Sequence, residues 1–438
     1  MLNTHQNNAM QNLKTTTNFA ATIGLDWADR KHDLWIHPTQ GDKAQHRQLE
    51  QTPEALHAWV AQLRKRFDNH PVAVAVETSR GPIISALLVY DFIVIFPVNP
   101  KALKDYRAAF AVSGAKDDRT DAQLLEEFLR LHGDKLRRLT PDTELTRKLA
   151  GLVENRRRLV DERTRLINQV HSTLKTYYPL AETLLQDQFN TPMAAEFLAR
   201  WPDLPSLQQA TAKTLRAFFY QHHSRSAKTI EDRLASITAA KALTTDEAIL
   251  APARLLVRAL ASLLKPLHQA IAQIEAVIEQ AMDQHPDAAL FRSFPAAGPA
   301  LAPRLLVAFG TDRSRFQSAQ EVAQLYGLAP VVSQSGNSKT TRMRRRCPKF
   351  GRQTFHENAG CVWRKEAWAR GYYEQQRQRH QDKHHQACRA LAFKLIRIYF
   401  ACWRDHQPYV TETYERALKT HGSPLHKKLN PSAKLNCE

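Results

Sequence analysis

Cysteine is scarce in this sequence, with five residues in a chain of 438. Four of them fall between Cys347 and Cys402, and no two form a C-x-x-C pair. A secreted domain held by disulfides uses more cysteines at regular spacing. The cysteine usage therefore excludes a disulfide framework and indicates a protein of the reducing cytoplasm.

Long apolar runs are also missing. The sequence has no uninterrupted apolar stretch of about 18 residues, the length that a bilayer-spanning helix needs. The first residues, MLNTHQNNAMQNLKTTTN, are polar and lack the apolar segment of a signal peptide. We expect no membrane span and no export, and we expect residues 1–18 to form a disordered arm.

Acidic residues are outnumbered by basic ones. The chain has 43 Asp and Glu against 62 Lys and Arg, a formal net charge of +19 and a pI near 9.8. A soluble protein with this excess of positive charge favours a polyanionic partner, and nucleic acid is the most common one.

The first 140 residues predict an α/β arrangement. AATIGLDWADRKHDLWIHP reads as two strands joined by a tight turn, and TPEALHAWVAQLRKRFDN follows as an amphipathic helix. PVAVAVET and IVIFPVN are apolar strands on either side of a short helix. Strands that alternate with helices indicate a sheet with parallel members and helices on its faces.

The stretch GAKDDRTDAQLLEEFLR places acidic residues at the start of a predicted helix. Asp118 and Asp121 are three residues apart, so their carboxylates share one face of the first turn, where the helix dipole favours negative charge. A cation such as Mg²⁺ prefers hard oxygen ligands of this kind. An isolated D-x-x-D more often only caps its helix, and Asp117 competes with Asp118 for either role.

Two further acidic residues stand at predicted strand ends. Asp26 ends the first strand and Glu77 follows PVAVAV, and functional sites collect at the carboxyl ends of strands in such sheets. We assign structural roles to Asp29, in the turn, and to Asp33, in the second strand. The candidate metal ligands and catalytic carboxylates are therefore Asp26, Glu77, Asp118 and Asp121.

From about Asp142 the sequence predicts long helices. One row of leucines recurs every seven residues from Leu145 to Leu166, while the neighbouring row from Leu149 to Val170 is interrupted by arginines. The cluster Arg156, Arg157, Arg158, Arg163 and Arg165 is either the solvated face of this helix or a nucleic-acid contact.

A second helix has a cleaner a/d seam. Its members are Leu260, Leu264, Leu267, Ile271, Ile274, Ile278 and Ala281. We expect Pro266 to bend or interrupt this helix. The two helices predict either an antiparallel hairpin or a dimerising coiled-coil stalk.

A third region starts near Leu290, where FRSFPAAGPALAPRLLVAFG predicts two helices around a Pro-x-x-Gly turn. The backbone amides of such a turn can hold a phosphate. Downstream, no acidic residue occurs between Val331 and His356. The expected nucleic-acid-binding residues of this stretch are Lys339, Arg342, Arg344, Arg345, Arg346, Lys349 and Arg352.

Taken together, GLDWADRKHDLWI, AVETS, GAKDDRTDA, the Pro-x-x-Gly-Pro turn and YGLAPVVSQSG resemble the insertion-sequence-110 transposases and the related Piv invertases. The order of carboxylates also resembles the RuvC branch of the ribonuclease-H-like fold, which binds two metal ions. The resemblance covers roughly residues 19–140 and 288–365. Ala296 departs from the family's Pro-Gly-x-Gly turn, which puts close phosphate approach at that turn in doubt.

The resemblance implies a bacterial DNA transposase or recombinase that associates with the nucleoid when bound. Ser335, directly before Gly336, is the implied nucleophile, and Ser333 and Ser338 are its rivals. The implied mechanism is a metal-assisted serine–DNA covalent intermediate that keeps the phosphodiester bond energy. The cofactor is Mg²⁺ or Mn²⁺. The implied partners are donor and target DNA, a structured bridge RNA that guides the protein, and further copies of the chain in a dimer or tetramer.

The expected fold class is α/β plus all-α. The expected organisation is an arm at 1–18, a RuvC-like domain at 19–140, a helical coiled-coil region at 141–287, a mostly helical C-terminal serine domain at 288–420 and a disordered tail at 421–438.

Two other functions fit parts of the sequence. A RuvC-like metal-dependent junction nuclease requires the carboxylates without a serine nucleophile, and a nucleic-acid scaffold requires only the charge. Separately, His380, His384 and Cys388 are spaced to share one face of a predicted helix, where they would suit zinc or RNA. A fourth zinc ligand is missing, which favours the RNA-facing or solvated helix.

Overall fold

The computed structural model describes residues 19–41, 43–110, 118–224, 226–336, 338–423 and 425. The predicted arm at 1–18, Asp117 and most of the predicted tail lie outside the described residues. The chain divides into two compact units, Met1–Pro141 and Asp142–Glu438. No helix of the described part is long and apolar enough to cross a membrane.

The first unit contains a five-stranded sheet with the strand order β3-β2-β1-β4-β5. Strand β1 pairs with β4 in parallel, and β4 with β5 in parallel, whereas β1–β2 and β2–β3 are antiparallel. The strands are β1 Ala21–Asp26, β2 Lys31–Pro38, β3 Gln45–Glu50, β4 Val72–Val76 and β5 Ile93–Pro97. The helices are α1 Pro53–Arg66, α2 Pro82–Leu87, α3 Pro100–Phe110 and α4 Asp118–His132, followed by a 3₁₀ turn at Gly133–Lys135.

Helices cover both faces of the sheet. Side chains alternate along a strand, so Val72, Val74 and Val76 of β4 pack with α1 and α2 on one face. Ala73 and Ala75 point to the other face, where they pack with residues of α3 and α4. The interior strand β4 is buried on both faces, which is why it reads as an unbroken apolar run. This three-layer arrangement confirms the predicted α/β order.

Two elements of this unit were not predicted. Strand β3 is an edge strand in which only Leu49 is buried, so its sequence carries no clear apolar alternation. Helix α3 begins at Pro100 after Asn99, whose side-chain Oδ1 accepts a hydrogen bond from the Lys101 backbone N–H at 2.9 Å. Asn followed by Pro is a helix-start signal that the sequence does contain.

The second unit is mainly helical. Its first part contains α5 Glu144–Tyr177, α6 Pro179–Leu185, α7 Pro192–Arg200, α8 Leu204–Gln208, α9 Ala212–Gln221, α10 Ala227–Ala239 and α11 Glu247–Asp283. Its second part contains α12 Ala288–Arg292, α13 Ala302–Phe309, α14 Ala319–Leu325, α15 Lys349–Lys365, α16 Ala367–Arg379, α17 His384–Arg404 and α18 Thr411–Thr420. Short 3₁₀ helices lie at Gln186–Asn190 and Arg313–Arg315. Strands β6 Val331–Ser335 and β7 Ser338–Arg342 form an antiparallel hairpin.

Helices α5 and α11 pack against each other in antiparallel orientation. Leu149 and Val153, near the start of α5, share a buried cluster with Ile278 and Met282, near the end of α11. The end of α5 shares a second cluster with the first half of α11. Of the two predicted arrangements, the antiparallel hairpin is therefore present within one chain, while a dimerising stalk stays a prediction.

In the first half of α5, the buried row is the one that the arginines interrupt. Leu149 is fully buried, whereas Leu145 and Leu152 of the regular heptad row are only partly buried. Arg156, on the buried row, is accommodated because its Nε donates to Glu275 of α11 at 2.8 Å. The expected interruption of the partner helix is wrong, since α11 runs through Pro266 without a break.

Candidate functional site

Asp26 and Glu77 lie at the same end of the sheet. In the parallel ladder between β1 and β4, Leu25 is paired with Val76. Asp26 is the last residue of β1 and Glu77 directly follows β4, so the two acidic residues stand side by side at the carboxyl edge. Both are half-buried.

Helix α4 brings Asp118 and Asp121 to this same end. The Thr22 hydroxyl of β1 donates to Glu126 of α4 at 2.6 Å. A Cβ at Gly24 would lie 2.6 Å from the Glu126 backbone nitrogen and closer still to the carbonyl oxygen of Ala122. The helix therefore runs antiparallel to β1, and its first turn lies toward the Asp26 end. Because side chains alternate along a strand, Thr22, Gly24 and Asp26 all lie on the face of β1 that α4 covers.

The two acidic residues of α4 have different surroundings. Asp118 is exposed at the first position of the helix. Asp121 is 4% exposed and accepts a hydrogen bond and ion pair from Arg107 of α3. Arg107 is a residue of the candidate site that the sequence did not single out, because the contact depends on how α3 packs beside α4.

Neighbouring acidic residues have structural partners. Asp33, the cross-strand partner of Asp26, is hydrogen-bonded to His46 at 2.6 Å. Glu126 accepts from Thr22 and from Arg130, whose Nε lies 3.2 Å away. Asp29 is exposed in the turn after β1.

The donor set at the sheet end suits a hard divalent cation, because each of the four residues offers carboxylate oxygens. Among the residues that the structure describes, no three His, Cys, Asp or Glu side chains are arranged to hold an ion. Asp121 is turned toward Arg107, so an ion that used this carboxylate would compete with the guanidinium. The chemistry of the four residues thus fits a metal, while Asp121 is paired with Arg107 in the arrangement described.

Ser335 lies at the tip of the β6–β7 hairpin. It pairs with Ser338 in the last rung of the ladder, and Ser333 is paired with Thr340. Gly336 follows with a φ of +53°, a left-handed backbone that glycine adopts without a steric penalty. All three serines are exposed. Because residues two apart and cross-strand partners share a face, Ser335 and both rivals point to one side of the hairpin.

The seven predicted cations lie on β7 and in the segment that follows it, up to the first turn of α15. Five are exposed, namely Lys339, Arg342, Arg345, Arg346 and Lys349. Arg352 is partly buried and its Nη1 donates to the Arg344 carbonyl at 3.2 Å, which ties the loop to α15. Arg344 Nε is buried without a hydrogen-bond partner among the described residues. The arrangement gives a hydroxyl group on a cationic, solvent-accessible surface.

The predicted helix through His380 and Cys388 is wrong. Helix α16 ends at Arg379 and α17 begins at His384, with Gln381 and Asp382 at positive φ between them. His384 Nδ1 is hydrogen-bonded to the Tyr373 hydroxyl at 2.6 Å, and burial lowers the pKa of His384. Cys388 is fully buried and burial raises the pKa of its thiol. Cys388 therefore belongs to the helical core, whereas His384 is exposed at the start of α17.

Two family models match the chain. The DEDD transposase model of IS110 elements matches residues 23–179, and the model described as "Transposase IS116/IS110/IS902 family" matches residues 288–374. The chain belongs to the IS110 family of transposases. The first match includes all four candidate carboxylates, and the second includes Ser335 and the seven cations.

Curated relatives of this transposase extend over most of its length. The mini-circle putative transposase for IS117 of Streptomyces coelicolor is 29% identical over 88% of this chain and 94% of its own. The insertion element IS110 uncharacterized 43.6 kDa protein of the same organism is 27% identical over 89% of this chain and 95% of its own. The insertion element IS900 uncharacterized 42 kDa protein of Mycobacterium paratuberculosis is 25% identical over 88% of this chain and 96% of its own.

Proposed function

We propose that this transposase cuts and exchanges DNA strands through a covalent bond between Ser335 and DNA, assisted by a RuvC-like site of four carboxylates. The observation that carries the proposal is the common sheet end of Asp26, Glu77 and the first turn of α4. The exposed serine at the tip of a cationic hairpin supports the second half of the proposal.

The covalent step conserves the phosphodiester energy. The Ser335 hydroxyl loses its proton and its oxygen attacks the phosphorus atom, so that a serine–phosphate bond forms as the bond to the 3′ oxygen breaks. The 3′ oxygen takes up a proton and leaves as a hydroxyl. A 3′ hydroxyl of the partner strand then attacks the phosphoserine and releases Ser335, which completes the exchange without ATP.

Asp26, Glu77, Asp118 and Asp121 would hold Mg²⁺ or Mn²⁺, which supplies Lewis-acid stabilisation of charge on the phosphate oxygens when bound. The exposed cations of β7 and of the segment after it, Arg342 and Arg345 among them, orient the DNA by pairing with neighbouring phosphates. Arg107 holds the Asp121 carboxylate until the site is assembled.

Sequence selection is proposed to come from a structured bridge RNA, so that the protein reads mainly backbone and shape. The charge of +19 supports a second polyanion beside the DNA. We propose that a dimer or tetramer provides carboxylates and serine from different subunits. Sequencing the nucleic acid that copurifies with the protein tests the RNA proposal, and a preparation that contains only DNA contradicts it.

Ser335→Ala tests the covalent step. We expect wild-type protein to yield a protein-linked DNA end in the presence of guide and metal, and Ser335→Ala to yield none while it still binds DNA. The products are denatured, run on a gel and compared with and without protease. Because Ser335 is exposed, the substitution should change the free energy of unfolding by no more than about 0.5 kcal/mol.

Ser333→Ala and Ser338→Ala are matched controls on the same face of the hairpin. Both should keep the adduct. Loss of the adduct in one of them, with the adduct retained in Ser335→Ala, would move the nucleophile to that position. DNA cutting by the wild type without any adduct would replace the proposal with a RuvC-like junction nuclease that uses water.

A further inference from the structure

Arg304 is a buried arginine with one arm that lacks a partner. It is 7% exposed on α13. Its Nε donates to the Thr354 hydroxyl at 3.0 Å and its Nη1 donates to Glu357 at 2.5 Å. Its Nη2 is buried without a hydrogen-bond partner among the described residues. A buried guanidinium nitrogen without an acceptor costs free energy.

Arg304 lines a cavity of about 260 Å³ in the second unit. That volume is several times the ~30 Å³ that one water molecule occupies in the liquid. The cavity walls come from α5, α11, the turn before α13, α13 itself and the first turn of α15. The lining residues are Val153, Arg156, Arg157, Glu275, Ile278, Pro299, Ala300, Pro303, Arg304 and Phe350.

Two further guanidinium groups face this cavity. Arg156 is held by Glu275, with its Nε 2.8 Å from the carboxylate. Arg157 is held by Asp161, with its Nη2 2.6 Å away. These ion pairs restrain both side chains. Arg304 is itself fixed, because its guanidinium lies 4.8 Å from the centre of the Phe350 ring.

The turn before α13 forms the rim. Ala296 adopts a φ of +56°, so alanine takes the left-handed conformation that a glycine adopts freely. The Gly298 carbonyl accepts from the Leu301 and Ala302 backbone N–H groups at 2.9 and 3.0 Å. The turn expected to hold a phosphate by its amides therefore has alanine in this conformation in place of the first glycine, and Pro299 and Ala300 at its end line the cavity together with Arg304.

We propose that this cavity, the Arg304 cavity, binds one backbone phosphate of the DNA between the guanidinium groups of Arg304, Arg156 and Arg157. Arginine provides planar donors that match phosphate oxygens, and a rigid pocket loses little entropy on binding. The inference rests on the proposed function only in that DNA is the ligand. It adds a binding site outside the carboxylates and the hairpin.

Ala300→Asp tests the proposal without removing any existing contact. Ala300 is exposed and lines the cavity, so aspartate would place a carboxylate where the phosphate is expected. Ala248→Asp is the control with the same charge change. Ala248 is exposed in the first turn of α11, about 40 Å along that helix from Glu275 at a rise of roughly 1.5 Å per residue.

The full-length protein is titrated with a short fluorescent DNA duplex at several salt concentrations, and with a single-stranded RNA for comparison. We expect Ala300→Asp to raise the dissociation constant for the duplex about tenfold, the effect of removing one charge-assisted hydrogen bond. We expect its log–log salt slope to fall by about 0.9, which corresponds to one phosphate. Ala248→Asp should stay within about twofold of the wild type.

Arg304→Lys is the second variant. It keeps a cation for Glu357 but removes the free arm, so it should weaken duplex binding in the same direction while thermal unfolding stays cooperative. Equal binding by wild type and Ala300→Asp, equal weakening in Ala300→Asp and Ala248→Asp, or weakening confined to RNA would overturn the proposal. Absence of DNA binding by the wild type would instead contradict the proposed function and this inference together.

Discussion

Asp118 and Asp121 stand one helical turn apart but differ in exposure, and that difference determines what a substitution does at each position. Asp118→Asn should abolish DNA cleavage and leave the free energy of unfolding within about 0.5 kcal/mol, because the side chain is exposed. Asp121→Asn should also abolish cleavage, but it leaves Arg107 without its ionic partner and should lower the free energy of unfolding by roughly 1–3 kcal/mol. Cleavage of labelled DNA and urea unfolding check both.

Asp117→Asn is the matched control for the register of the carboxylates. It should cleave DNA as the wild type does. If Asp117→Asn is inactive while Asp118→Asn cleaves normally, the metal-binding position is shifted by one residue.

His285 makes stability depend on pH. Its Nδ1 accepts from the Asp287 backbone N–H at 3.1 Å, so its Nε2 carries the proton toward the Thr146 hydroxyl at 3.0 Å. Burial lowers the pKa of His285 below its ordinary value of 6.5, against the opposing effect of Asp287 and Asp142. The unfolded chain therefore binds the proton first, and the stability from the neutral ring is present above about pH 6.5 and is lost as the pH falls through the folded pKa.

We expect the wild type to lose stability more steeply than His285→Gln when the pH falls below about 6.5. Urea unfolding at a series of pH values measures the two slopes. Parallel slopes would mean that His285 has the same pKa in the folded and unfolded chains.

At the scale of elements, the crossing of α4 over β1 depends on Gly24. An added Cβ would meet the backbone of Ala122 and Glu126, which cannot move aside as a flexible side chain can. Gly24→Ala should therefore lower the free energy of unfolding by about 1–3 kcal/mol, the usual effect of overpacking. It should also reduce DNA cleavage, because the first turn of α4 is displaced from Asp26. Chemical unfolding and the cleavage assay measure the two effects.

Gly151→Ala is the control for this change. Gly151 lies inside α5, and an added Cβ there meets nothing within 4 Å. Alanine should raise the free energy of unfolding by roughly 0.5–1 kcal/mol, since glycine is unfavourable inside a helix. A similar stability change in both variants would show that the close approach at Gly24 does not constrain α4.

At the scale of the whole molecule, the net charge of +19 governs association with nucleic acid. DNA binding should weaken steeply as salt rises. Replacing Arg342, Arg345 and Arg346 by glutamine should reduce the log–log salt slope by up to about 2.7, or about 0.9 for each duplex phosphate that an arginine no longer neutralises. Fluorescence titration of one duplex at several salt concentrations provides the slope.

A triple variant with the same reduction of charge serves as the control. Lys213, Lys228 and Lys241 are exposed in the region between α5 and α11. Their replacement by glutamine should change the slope much less. Equal slopes for the two triple variants would remove the hairpin loop from the DNA interface.

The predictable parts of the molecule were those with a strong local pattern. The apolar run of β4 and the heptad spacing of α11 identified a buried strand and a packed helix, because burial on a regular element imposes its own period on the sequence. Strand β3 was not predicted, because an edge strand with one buried residue imposes almost no apolar period on the sequence. Pro266 was expected to bend or interrupt α11, and the interruption is wrong because packing along the rest of the helix keeps it continuous.

The sequence by itself determined the charge of the chain, its α/β-then-helical order and its membership of a transposase family, since these depend on composition and on motifs that are local. Only the tertiary structure decided that Arg107 pairs with Asp121 and that Arg304 lines a cavity with Pro299 and Ala300. It also decided that the row with Arg156 faces α11. Contacts of this kind join residues from different elements, and their geometry depends on how those elements pack, which no spacing along the chain encodes.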